Sequence, residues 1–148
     1  MRGQYRIIME VLFFAIGILL ASYMIISFSG VSETVKGASA RSQFESVSNS
    51  VKSAMAKASE LPNGAIRIRV PATISESSYY IRLESETGGN CLSSSNCYLN
   101  LTSSSGEGIR EKIFNIVGDI DIISGFATSG SEFVEIRKEG SGLRLSAG

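Results

Sequence analysis

The stretch from Phe44 to Val70, FESVSNSVKSAMAKASELPNGAIRIRV, changes its apolar period once, and that change decides the fold. Up to Leu61 the apolar residues Phe44, Val47, Val51, Ala54, Ala58 and Leu61 recur at alternating spacings of three and four, with Ser, Lys and Glu between them. That is an amphipathic helix with one narrow apolar stripe. Pro62-Asn63-Gly64 stops it. Beyond the stop, Ile66, Ile68 and Val70 alternate with Arg67 and Arg69, the period-two pattern of a half-buried strand.

The same alternation continues toward the C-terminus. In SYYIRLE, Tyr79, Ile81 and Leu83 oppose Tyr80, Arg82 and Glu84, and CYLNLT sets Cys97, Leu99 and Leu101 on one face. EFVEIRK and GLRLS alternate again around Glu139-Gly140-Ser141-Gly142, a hairpin loop. One or two further strands are expected, around 112–117 and 120–127, and a flexible serine-rich patch at 103–108. The pattern predicts an antiparallel sheet of five to seven short strands, one face on the helix and one wet. The aliphatic sheet face and the helix stripe then bury one another. The stripe's other possible occupant is a coiled coil with further copies, but the heptad phase slips upstream of Phe44.

Reading toward the N-terminus, no strong helix breaker stands between Phe28 and Leu61, where Gly30 and Gly37 are the weak points. Val11 to Phe28, VLFFAIGILLASYMIISF, carries no charge. At about 1.5 Å per residue these eighteen residues reach about 27 Å, close to the hydrocarbon thickness of a bilayer. A cleavable secretory signal has a shorter apolar core, although Ser27-Phe28-Ser29 would serve as a cleavage site. Arg2 and Arg6 precede the span and the next basic residue is Lys36, so the positive-inside bias puts the N-terminus in the cytoplasm and the head outside. The expected chain path is one nearly continuous helix from about residue 5 to residue 61, its first half in lipid. The expected architecture is α+β, a long N-terminal helix packed on a mainly antiparallel β-sheet head. Its parts are a transmembrane helix to residue 28, an amphipathic stem at 29–61 and an extracellular head at 62–148.

The composition narrows the chemistry. Lys plus Arg and Asp plus Glu both number 14, a balance that argues against a nucleic-acid binder. There is no histidine, so the commonest general base and metal ligand are missing and no Ser-His-Asp set can be built. Asp119 and Asp121 share one side of a strand, a spacing that would hold calcium if other oxygens converged and is otherwise a solvated face. Glu107 and Glu111 frame a turn without a recognisable signature, and no glycine loop is placed to cradle phosphate. No enzyme activity, cofactor or small-molecule substrate is expected. Cys91 and Cys97 are too few for a zinc site, which leaves a small disulfide loop or free thiols, the first fitting an oxidising, extracytoplasmic setting. Asn100-Leu101-Thr102 is a glycosylation sequon in that compartment.

One charge remains to be explained, Glu10, at the mouth of the apolar run. A short leader ending in Arg2-Gly3, then Gln4, then a hydrophobic helix with an early Glu, resembles archaeal type IV pilin-like proteins. The long helix and β-rich head match that family's architecture as well. The resemblance implies that residues 1–3 are a leader and that a membrane prepilin peptidase cuts after Gly3, so that the mature chain starts at Gln4. It further implies that Glu10 pairs with the freed amine of a neighbouring pilin-like subunit. A carboxylate in low dielectric needs such a partner. In the family the Glu is the fifth mature residue, a place held here by Ile8, and Glu10 is the seventh. Glu10 can therefore also pair with Arg6 one turn earlier, an arrangement that suits a minor pilin or pseudopilin. The rival reading is a stand-alone, membrane-anchored extracellular β-domain that acts as a binding module.

Overall fold

The computed structural model describes residues 2–92, 96–114 and 120–148, with side chains from residue 7 onward. Helix α1 runs Arg2–Glu60 as one element of 59 residues, as the absence of a breaker before Pro62 requires. Among the described residues seven strands follow: β1 (Gly64–Arg69), β2 (Tyr79–Ser85), β3 (Cys97–Ser103), β4 (Gly108–Lys112), β5 (Ile122–Thr128), β6 (Phe133–Glu139) and β7 (Gly142–Ala147). The chain divides into two compact units, Met1–Ala38 and Ser39–Gly148.

The second unit is a single sheet, in the order β1-β6-β7-β5-β2-β3-β4, with the C-terminal part of α1 laid on one face. Every neighbouring pair is antiparallel except β5 and β7. The exception follows from the hairpin of β6 and β7: it folds back so that β7 enters between β6 and β5 and runs parallel to β5. The two-residue loop Gly140-Ser141 makes that hairpin, with Gly140 at φ 58°. Its Gly140 N–H donates to Asn63 Oδ1 at 3.1 Å, which ties the loop to the stop after α1.

Alternation works as expected on the strands. Tyr79, Ile81 and Leu83 point inward, as do Leu99 and Leu101, Val134 and Ile136, Leu143 and Leu145, all buried. On α1 the stripe of Phe44, Val47, Val51, Ala54 and Ala58 is buried against them. The buried face is wider than the narrow stripe expected, because Ala40, Ser48, Met55 and Ser59 are sealed too, while Leu61 stays partly exposed. Phe44 meets Tyr79 edge-on, with centroids 6.3 Å apart. The Tyr79 hydroxyl donates to Pro71 O at 2.7 Å, and burial pushes its pKa up to about 12.

Two expectations need correction. The strand expected at 112–117 lies earlier, at β4, and residues 115–117 fall outside the described residues. The stretch 103–108, expected to be flexible, is the closed turn of the β3–β4 hairpin: Ser103 N–H donates to Glu107 O at 2.7 Å and Gly106 N–H to Ser103 O at 3.0 Å. The expected strand at 120–127 is β5, two residues later at its start.

Candidate functional site

The first unit carries the features that single this chain out. From residue 7 to residue 39 every side chain on α1 is exposed, including Phe13, Phe14, Ile26 and Phe28, the last at 73%. This part of the helix is long and apolar enough to cross a membrane. Three of its hydroxyls bond back to the helix's own carbonyls. Ser22 donates its hydroxyl to Ile18 O at 2.8 Å, Ser29 to Ile25 O at 2.9 Å, and Thr34 to Gly30 O at 3.0 Å. In hydrocarbon, where no water can take these hydroxyl protons, such i−4 bonds remove most of the cost of a Ser or Thr.

Glu10 lies on the exposed helix surface at the N-terminal edge of this apolar stretch. Gly3, Gln4 and Arg6 lie in the helix, but their side chains fall outside the described residues, so the Glu10–Arg6 pairing is not described.

In the second unit Cys91 and Cys97 are bonded to each other, and both are fully buried. The disulfide does more than brace a loop tip. Cys97 opens β3, and Cys91 makes a two-bond bridge with Ile123 of β5, with N–H···O distances of 2.9 Å each way. The bond therefore joins the β3 end of the sheet to its central strand. Asn100 faces away from α1 in β3 and is half-buried; its amide donates to Glu84 Oε1 at 3.2 Å, and Thr102 Oγ1 donates to Asn100 Oδ1 at 3.1 Å. Asp121 is exposed and its N–H donates to Ser141 O at 2.9 Å, while Asp119 falls outside the described residues. Glu107 is exposed in the β3–β4 turn.

Sequence reasoning missed the polar contact between α1 and β4. Glu111 points toward the helix beside Ile109 and accepts from Lys52 Nζ at 2.6 Å and Ser48 Oγ at 2.5 Å. Its carboxyl is held below the usual carboxylate range, first by the Lys52 hydrogen bond and then by that of Ser48. At the other end of the sheet Lys138 Nζ donates to Ser59 O at 2.6 Å, near the last turn of α1. These two contacts fix the position of the helix on the sheet more sharply than apolar packing alone can.

Comparison with protein-family models, curated proteins and solved structures gave no match to this chain.

Proposed function

We propose that this protein is a membrane-anchored, pilin-like structural subunit, a minor one, of an archaeal type IV pilus or a related surface or secretion filament. The observation that carries the proposal is the chemistry of α1. One helix presents an exposed stretch apolar on all sides, then an amphipathic stretch packed on its own sheet. A helix apolar all round must be covered by lipid or by other helices. A subunit that waits in a membrane and then packs into a filament core uses the same surface for both. Arg2-Gly3-Gln4 and Glu10 supply the processing and pairing chemistry that such a transfer needs. The head then lies outside the cell, as the Arg2 and Arg6 bias and the disulfide support.

The test follows the protein through processing and assembly. Gly3→Val should block cleavage by the prepilin peptidase and leave an inserted, unassembled precursor. Glu10→Gln should be inserted and cleaved normally but incorporated poorly with other pilin-like subunits, because the amine of Gln4 has lost its carboxylate. Unmodified protein that keeps residues 1–3 and enters no assembly, with both variants indistinguishable from it, would leave the anchored binding module as the better reading.

A further inference from the structure

The sheet face turned away from α1 holds a second feature, independent of assembly. A cross-strand row runs Arg67, Glu135, Ser146, Phe126, Arg82, Asn100, Arg110, set by the pairing of six neighbouring strand pairs. The arginines toward the sheet edges are neutralised. Arg67 pairs with Glu135 at 3.0 Å, Arg69 with Glu132, Arg110 lies 3.9 Å from Glu84, and Arg137 pairs with Glu135 at 2.7 Å. At the centre the pattern changes. Arg82 and Arg144 are exposed and have no ion pair among the described residues. Arg144 moreover stands directly opposite Arg137, a like-charge pairing that costs stability.

Between these two arginines lies an open groove of about 630 Å³ over the central strands. Its floor is Gly125, at φ 144°, where a Cβ would come within 2.1 Å of Leu145 O; the close approach of β5 and β7 leaves room for nothing larger. Phe126, nearly half exposed, lines the groove, and Tyr80 packs beside it, its ring tilted by 38° and the centroids 6.0 Å apart. Arg82 lies over both rings, 5.6 Å and 6.0 Å from their centroids, which holds its guanidinium fork in place without neutralising it. Ser124, Ser146 and Asn90 add hydroxyl and amide groups on the walls. Glu84, also on the wall, is engaged by Asn100 and Arg110.

We propose that this groove binds a carboxylate-bearing polysaccharide. Free guanidinium forks match carboxylates bidentately. The exposed Phe126 ring suits the C–H face of a sugar ring, and the wall hydroxyls and amide suit its hydroxyl groups. Strand spacing puts the Cα atoms of Arg82 and Arg144 about 12 Å apart, a distance that one short acidic oligosaccharide can span so that two of its carboxylates each meet a fork. A nucleic-acid strand fits less well, because it needs a continuous basic track along its phosphates. Here the flanking arginines are already spent on Glu135, Glu132 and Glu84.

The experiment uses the full chain in detergent micelles, titrated at low salt with tetragalacturonate, with neutral dextran oligomers and with oligo-dT. Tetragalacturonate should bind and dextran should not. The double variant Arg82→Gln/Arg144→Gln should weaken binding tenfold or more, Phe126→Ala severalfold, and Arg69→Gln, an ion-paired arginine of the same face, not at all. The proposal is overturned if unmodified protein binds dextran equally or galacturonate not at all. It is equally overturned if the double variant binds as the parent does, or if oligo-dT binds more tightly than the uronate.

Discussion

Phe28 and Phe44 lie on the same helix, one 73% and the other 2% exposed. Neither residue type nor backbone geometry separates them; their surroundings in sequence do. Around Phe44 apolar residues keep to one face with Ser, Lys and Glu on the rest, so one sheet covers all that needs covering. Around Phe28 and back to Val11 the apolar residues occupy every face, and no single sheet could cover them. The helix is thus written for two environments, and its variants should divide accordingly.

The largest effect separates the two stretches directly. Val51→Asp puts an unpaired carboxylate into a fully buried site, which should cost about 4 kcal/mol and abolish the head's cooperative thermal transition. Leu19→Asp, in the exposed stretch, should leave that transition unchanged and instead cost about 2.5–3.5 kcal/mol of membrane insertion, read as loss from the membrane fraction. If both variants melted the head alike, the division would be wrong. Next, Gly125→Ala forces β5 off β7 and should cost about 3 kcal/mol, visible in denaturant unfolding; an unshifted midpoint would mean the strands can part freely.

Reduction of the Cys91–Cys97 bond should cost about 2 kcal/mol, since the closed loop is short. Native protein should resist alkylation until reductant is added. The smallest effect concerns Glu111, whose pKa is lowered in the folded state. Such a group contributes stability above its unfolded pKa of about 4.3, and that contribution fades as pH falls through the lowered folded value. Glu111→Gln should therefore cost about 1 kcal/mol at pH 7 and flatten the acid side of the melting profile. An unchanged acid slope would show that the Lys52 and Ser48 hydrogen bonds hold nothing.

What the sequence announced was local. The Pro62 stop, the alternation of Tyr79–Leu83 and the Gly140-Ser141 turn each lie within a few residues, and each sits where expected. What it hid depends on distant partners. Ile109, Glu111 and Ile113 share one side, but the inward carboxylate breaks the apolar rhythm, so β4 reads as a polar turn and its strand is sought too late. Ser48 looks like a surface residue until Glu111 takes its hydroxyl proton. The groove between Arg82 and Arg144 exists only because β7 enters beside β5, a pairing that no local pattern encodes. For the N-terminal segment the long apolar helix is legible from the uncharged run Val11–Phe28, and the fold shows that helix exposed on every side, while the roles of Gly3, Gln4 and Glu10 belong to the proposal.

The proposed role rests on what happens at residue 3. Mass spectrometry of the protein isolated from native membranes measures it directly. A mature chain beginning at Gln4, with Cys91 and Cys97 still bonded, is the result expected of a pilin-like subunit. A membrane-extracted chain that keeps Met1 or Arg2 would contradict it, and would leave Glu10 as the edge charge of a simple anchor.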